Sequence, residues 1–431
     1  MKICLVTAFP PSGRQLNEYG LHLANELQSN PLISLTILGD ELTACEFATD
    51  AHGNPITDQT ELPDFDVLRA WQFNSVANGP KLLKAVRQIK PDVVWFNLVF
   101  STFATPQHPV AAFAGLCIPA MMRAAGFHTH VTLHHLMEHV SFGDAGIRSE
   151  GLYRFASSVA TRMLLMSNSI SVLLPAYRRT LMEKYRAQNV HFRSHGILGA
   201  RPEFPDFSRR GNPDHRILAI GHWGTYKRLE TLMEAFNEKV TRVVPEAKLV
   251  IAGANHHTMS GYWESLAEKY RDNQRIEFKG YVPEEAIPEL YSTATVVVLP
   301  YNSSTGSSGP AHQACQYGLP VISSHIPEFV DMAENEQMAI DFFPIGDVDA
   351  LADCLISLLR SPEKQREMAE QNFSASLRMT MPRIIRDYLR SFDLQKRAKA
   401  LAIGGGRFRR RPRWALSRSD AHRFGGWSPW T

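Results

Sequence analysis

The stretch Val296-Val297-Val298-Leu299-Pro300-Tyr301-Asn302-Ser303-Ser304-Thr305-Gly306-Ser307-Ser308-Gly309-Pro310-Ala311-His312-Gln313-Ala314 decides the fold. It opens with four apolar residues, three of them β-branched, which read as a strand buried on both faces. A run of small hydroxyl residues and glycines follows. Pro310 then suits the first turn of a helix. Strand, small-residue loop and helix start together place unpaired backbone N–H groups where an anion can sit. Ordering such a loop is costly without a partner. Gly306, Ser307, Ser308 and Gly309 are therefore candidate ligand contacts, with Thr305 beside them.

The same alternation extends in both directions. Strands are expected at Arg216–Ile220, Lys248–Ala252, Arg275–Lys279, Thr295–Leu299, Pro320–Ser323 and Ala339–Phe342. Helices are expected at Arg228–Lys239, Gly261–Tyr270, Ile287–Tyr291, Pro310–Tyr317, Ile326–Met332 and Ala350–Ser361, with a closing helix at Met379–Arg397. Upstream lies a second series, with strands near Lys2–Thr7, Ser34–Leu38, Val67–Trp71, Val93–Asn97, His130–Leu133, Ser169–Leu174 and His191–Arg193. Its helices fall at Asn17–Gln28, Lys81–Ile89, Ala111–Ala125, Leu152–Met166 and Ala176–Tyr185. Such alternation implies parallel sheets covered by helices. Between the series, Gly199 to Asp214 holds Pro202, Pro205, Gly211 and Pro213, which mark a linker. Two doubly wound α/β halves facing a central cleft follow, with ligands expected beyond the carboxyl ends of the strands.

Composition sets the outer limits. The 431 residues suit two domains, and 44% hydrophobic with 21% charged residues excludes a disordered or fibrous chain. Five cysteines without a CxxC pair argue against a disulfide framework or zinc site and for a reducing, cytoplasmic setting. The start of the chain is not patterned as a secretory leader. The longest apolar run, Pro109 to Met122, is shorter than the roughly 20 residues of a membrane span and reads as a buried helix. From Lys396 onward there are ten basic residues and one acidic, against 36 basic and 42 acidic before it. This basic tail, 398–431, is expected to lack regular structure. With the Pro109–Met122 run it permits a peripheral membrane contact. No specific nucleic-acid partner is expected.

Three further turns carry candidate chemistry. Phe9 to Tyr19 is a first βα turn containing Gly13 and Arg14, suited to an anion but lacking the GxGxxG dinucleotide fingerprint. Thr132-Leu133-His134-His135-Leu136-Met137-Glu138-His139 follows a strand, so His134 is placed to meet a sugar hydroxyl or phosphate. The histidines invite a metal reading, but the HExxH order is absent and no metal is expected. Gly221-His222-Trp223-Gly224-Thr225-Tyr226-Lys227-Arg228 ends in two cations at a helix start, a placement that favours a bound diphosphate.

From about Ile217 to Leu359 the chain resembles the retaining glycosyltransferases of family 4, which have the GT-B fold. The resemblance is carried by Lys227, by Ala235-Phe236, by Pro245 to Gly253, by Ile276 to Pro283, by Leu290-Tyr291 to Leu299-Pro300, by Tyr317 to Ser324 and by Asp347 to Leu358. It extends more weakly to Phe9–Leu27, Thr132–Leu136 and His195-Gly196-Ile197. It implies an acceptor domain at 1–198, a nucleotide-sugar domain at 199–375, a returning helix at 376–397, and no cofactor beyond the nucleotide diphosphate-sugar donor itself. It implies catalytic roles for His134, Lys227 and Thr305. Donor contacts are implied at Gly13, Arg14, His222, Arg228, Tyr281, Val282, Gly306 to Gly309 and Gln313. The acceptor is expected to be a glycan or a lipid-linked molecule.

This sequence departs from the family pattern at the paired Glu positions, which fall on Thr305 and Gln313. The usual Arg falls on His222, the usual Gly on Arg228, and the Gly-Gly of the first loop is Ser12-Gly13. Asp64-Phe65-Asp66 and Asp347-Val348-Asp349 have DxD spacing by chance on this reading. The departures leave two further readings open. One is a catalytically silent partner subunit or nucleotide-sugar-binding protein. The other is an epimerase or hydrolase on the same fold.

Overall fold

The computed structural model describes residues 1–42, 65–105, 107–139, 150–198, 204–205, 207, 215–256, 259–304 and 306–409. Met1–Ile385 and Arg386–Thr431 are two compact units. The first unit contains two parallel sheets.

The first sheet is formed by β1 (Lys2–Val6), β2 (Ser34–Asp40), β3 (Val67–Trp71), β4 (Val93–Leu98), β5 (Thr129–Leu133), β6 (Ser169–Val172) and β7 (Val190–Phe192). Its order is β3-β2-β1-β4-β5-β6-β7. The second sheet is formed by β8 (Arg216–Trp223), β9 (Lys248–Asn255), β10 (Ile276–Gly280), β11 (Val296–Leu299), β12 (Val321–Ser324) and β13 (Ile340–Phe343), in the order β10-β9-β8-β11-β12-β13. Every residue of β4, β5, β11 and β12 is buried, as parallel strands covered on both faces must be. Strand order reverses between β1 and β4 in one sheet and between β8 and β11 in the other. The loops after those four strands border the ligand crevice in such sheets.

β8 and β9 run longer than expected, pairing as far as Trp223 and Asn255. Two glycines permit this. At Gly253 (φ +105°) a Cβ would lie 1.9 Å from the carbonyl oxygen of Gly221, so the strands can approach only without a side chain there.

Four helical expectations need correction. The helix expected over Ala111–Ala125 is two, Pro109–Leu116 and Ile118–Ala124, with Pro119 in the first turn of the second. The one expected over Arg228–Lys239 starts at Glu230 and continues into a π-helical turn at Phe236–Val240. A 15-residue helix at Pro362–Ser376 was not expected at all. Its N-cap is Ser361, whose hydroxyl accepts from Lys364 N. Its buried face includes Asn372, which donates to the carbonyls of Leu319 and Ala339 and accepts from Ala339 N. A buried polar residue doing core duty weakened the apolar period. The closing helix, expected to stop at Arg397, runs Met381–Arg409 through Gly404-Gly405-Gly406. The rest of the basic tail, 410–431, lies outside the described residues.

Polar contacts join elements of the two sheets. Asp331 accepts from Arg179 (2.6 Å) and from Ala176 N (2.8 Å), tying the helix Pro327–Glu336 to the helix Pro175–Tyr185. Glu328 meets His139 Nδ1 at 3.1 Å, and His139 Nε2 lies 2.9 Å from the Thr180 hydroxyl.

Candidate active site

A cavity of about 170 Å³ lies where the two switch points meet. The first sheet contributes Gln15 and Leu16 after β1, Val99 after β4, His134 and His135 after β5, and His195 after β7. The second contributes Tyr226 and Lys227 after β8, and Tyr301, Ser304 and Gly306 to Gly309 after β11.

The first loop is held from behind. Buried Asp40, at the end of β2, accepts from Phe9 N (3.1 Å) and from the Ser12 hydroxyl (2.5 Å). Arg69 donates to the carbonyls of Phe9 (2.8 Å) and Pro10 (2.5 Å). Arg14 turns toward Asp40 (3.8 Å) and lies over the Phe73 ring (3.4 Å). Neither Arg14 nor exposed Gly13 lines the cavity; Gln15 and Leu16 do.

His134 is buried, and its Nε2 donates to Asn97 Oδ1 at 2.7 Å. The Asn97 amide is oriented by donating to Thr7 Oγ1 (3.1 Å), so the proton of His134 sits on Nε2 and Nδ1 keeps a lone pair. Burial, with His195 and His135 nearby, holds its pKa well below the ordinary 6.5. Burial likewise pushes His135 down to about 4. His139 is engaged with Glu328 and Thr180 instead. Among the described residues no group of three or more His, Cys, Asp or Glu is placed to hold a metal.

Lys227 stands on a tight turn in which Gly224 and Lys227 exchange backbone hydrogen bonds, 2.9 Å each. Its Nζ lies 4.9 Å from the centroid of the Tyr301 ring. No side chain at Gly221 fills the space beside it. Burial lowers its pKa to about 8. Among the described residues no carboxylate pairs with it, and the Tyr301 hydroxyl nearby is buried without a hydrogen-bond partner. A half-buried cation and an unsatisfied hydroxyl side by side suit an anionic ligand.

The Ser304–Gly309 loop closes the cavity. Ser304 Oγ donates to Gly306 O (2.7 Å), and the Ser308 hydroxyl caps the helix Gly309–Gln316 by accepting from Ala311 N. A Cβ at Gly306 would lie 2.8 Å from the carbonyl oxygen of His134, so this glycine permits the loop to touch the opposite wall. Thr305 lies outside the described residues.

Of the expected site residues, His134, Lys227, Gly306, Ser307, Ser308 and Gly309 come together. The others stand elsewhere. His222 is exposed at the end of β8. Arg228 pairs with Glu230 (2.7 Å) and lies over the Tyr262 ring. Gln313 Oε1 accepts from the Tyr291 hydroxyl (2.9 Å). Tyr281 is exposed and Val282 packs against the core; neither lines the cavity. Replacing Arg228 by alanine should change nucleotide affinity less than about fivefold, because Arg228 lies outside the cavity lining and a solvent-exposed charge contributes about 0–1 kcal/mol. A tenfold loss by calorimetry would show that Arg228 swings into the site on binding.

Sequence reasoning did not single out His195 or Tyr301 individually, nor the buried pair behind them. His312 Nε2 lies 2.8 Å from Glu336 Oε2, and its Nδ1 is 2.7 Å from the Ser308 carbonyl. Burial opposes charge on His312, but Glu336 and Ser308 outweigh it and raise its pKa. The Ser194 hydroxyl hydrogen-bonds the other oxygen of Glu336. The signals for His195 were its place at a strand end and the weak resemblance at His195-Gly196-Ile197, and Glu336 has none in sequence.

Comparison with known proteins follows this geometry. Residues 200–374 match the model of the family described as Glycosyl transferases group 1. The O-antigen chain mannosyltransferase B of Escherichia coli is 26% identical over 152 residues, 35% of this chain and 38% of that protein. An uncharacterized glycosyltransferase of Methanocaldococcus jannaschii is 31% identical over 129 residues, 30% of this chain and 32% of that protein. The chain thus spans little more than a third of the length of these curated relatives. Among solved structures, HepE from Anabaena in complex with UDP superposes with TM-score 0.64 at 14% identity, over 91% of this chain and 100% of that one. Sucrose-phosphate synthase from Thermosynechococcus elongatus gives 0.64 at 16%, over 92% and 99%. The chain therefore has the GT-B fold, and its residues 200–374 are similar to the glycosyl transferases group 1 family.

Proposed function

We propose that the protein is a glycosyltransferase that moves a sugar from a nucleotide diphosphate-sugar to a glycan or lipid-linked acceptor, with retention and without a metal. The observation that carries this reading is Lys227, a cation with no carboxylate partner among the described residues, facing the capped start of the helix Gly309–Gln316 across one cavity. Lys227 and the loop backbone would hold the diphosphate and take up the charge that grows on it as the sugar leaves. Among the described residues no carboxylate lines the cavity. The leaving phosphate itself would therefore guide the acceptor to the same face of the sugar. The group 1 match, and the mannosyltransferase and UDP-bound relatives, support the reading.

On this proposal residues 1–198 supply the acceptor side and 199–375 the donor side. Among the described residues no helix is long and apolar enough to cross a membrane. A cytoplasmic enzyme touching the membrane peripherally is the arrangement we propose for a lipid-linked acceptor.

The test is a thermal-shift panel of UDP, GDP, ADP and their hexose conjugates, without added metal, followed by a transfer assay. A ligand at about 100 times its dissociation constant should stabilise the protein by roughly 2.7 kcal/mol. A shift within one nucleotide family is expected. No shift with any nucleotide would defeat the donor-site reading.

A further inference from the structure

We infer that His195 recognises a hydroxyl of the donor sugar, accepting a hydrogen bond from it on Nε2 and so setting the sugar's orientation in the cavity. The inference rests on the donor-site reading proposed above.

The tautomer of His195 follows from its neighbour. Its Nδ1 lies 2.9 Å from the carbonyl oxygen of Gly196. A carbonyl can only accept, so Nδ1 carries the proton and Nε2 of the neutral ring keeps a lone pair. The ring is neutral at physiological pH because burial, with His312 beside it, pushes its pKa down to about 4. His195 lines the cavity, and its Nε2 has no hydrogen-bond partner among the described residues.

The ring is held in place from several sides. The Tyr19 hydroxyl donates to the His195 carbonyl (3.0 Å), and the Tyr19 ring stands edge-on to the imidazole. The His312 ring lies 5.2 Å away, itself fixed by Glu336. The preceding residue, Ser194, is bonded to the same carboxylate. A neutral lone pair on so fixed a ring attracts an O–H and repels phosphate oxygens.

Lys227, which lines the same cavity from the second sheet, has the reverse preference. A ligand carrying both phosphate and hydroxyls is thus turned with its phosphates to Lys227 and a hydroxyl to His195. The phosphate and the hydroxyl then belong to one molecule, so the donor sugar, carried on its own diphosphate, is the source of the hydroxyl.

Calorimetry with UDP, GDP, UDP-glucose and GDP-mannose on the wild type, His195→Phe and His195→Gln tests this. The wild type should bind a sugar conjugate more tightly than its bare nucleotide. His195→Phe keeps a packed ring without an acceptor. It should lose about tenfold or more of that gain, with bare-nucleotide affinity unchanged within about twofold. His195→Gln, whose Oε1 accepts, should recover part of it. A His195→Phe protein that keeps the full gain overturns the inference and leaves the donor-site reading standing. So does a wild type that binds nucleotide with no gain for either conjugate. A wild type that binds no nucleotide overturns both. Should His195→Phe fail to fold, ¹⁵N spectra of histidine-labelled wild type decide the matter. The unprotonated Nε2 resonance of His195 should move with the sugar conjugate and not with the bare nucleotide, and an unmoved resonance overturns the inference.

Discussion

Replacing Lys227 by alanine is expected to lower transfer, measured as kcat/KM, by about 100-fold or more. Removing one preorganised donor aimed at developing charge costs on that order in other enzymes. Among the described residues no second cation lines the cavity, since Arg14 faces Asp40 and Arg228 pairs with Glu230. The pH dependence gives an independent signature. The lysine of the free protein titrates near 8, lowered by burial, while His134, His135 and His195 stay neutral above pH 6. Affinity for UDP or GDP, whichever binds, should therefore weaken as pH rises through about 8. The linkage to folding has the opposite sign. A lysine whose folded pKa lies below its unfolded 10.5 releases a proton on folding, so the unliganded protein gains stability as pH rises from about 8 toward 10.5. Lys227→Ala should abolish both trends. Nucleotide affinity in the variant within about twofold of wild type at pH 7 would remove Lys227 from the diphosphate site.

His312→Leu is expected to destabilise the protein by about 3–5 kcal/mol at pH 6. Breaking a buried pair leaves the other charge uncompensated. Glu336 would keep only the Ser194 hydroxyl among the partners described. The reverse change, Glu336→Gln, should cost less, because an unpaired buried imidazole can shed its proton near neutral pH while a carboxylate must be protonated against its own preference. Replacing both residues by leucine should recover much of the loss. The sign with pH follows from the raised pKa of His312. Its stabilisation is complete below the unfolded value of 6.5 and is lost as pH climbs through the higher folded value. Urea titrations at pH 6 and pH 9 should show the cost of His312→Leu shrinking at the higher pH. A cost below about 1 kcal/mol at pH 6 would mean that water reaches the pair.

The strands were legible in the sequence because parallel strands buried on both faces leave short β-branched runs, such as Val296 to Leu299, that few other structures produce. The helix Pro362–Ser376 was not legible because its core face is shared with Asn372, a polar residue that is satisfied only by carbonyls distant in sequence. The end of the last helix was misread because the basic stretch beyond Arg397 carries no apolar period, yet the helix continues to Arg409.

For the candidate site, the sequence by itself singled out loops that border the cavity. Lys227 and Gly306 to Gly309 follow strands at a switch point of the second sheet, and that adjacency is a local property of the chain. Which side chains are already engaged was decided only by the tertiary structure. Arg14 and Arg228 read as free cations, but Asp40 and Glu230 take them. Gln313 read as a ribose contact, but the Tyr291 hydroxyl takes its oxygen. His312 and Glu336, 24 residues apart, meet within the second half, and His195, 117 residues before His312, reaches them only through packing between the two halves. A charge or lone pair is available to a ligand only if no neighbour has claimed it. Glu230 stands two residues from Arg228, but Asp40 and Tyr291 are supplied by packing between distant segments, which no local pattern records.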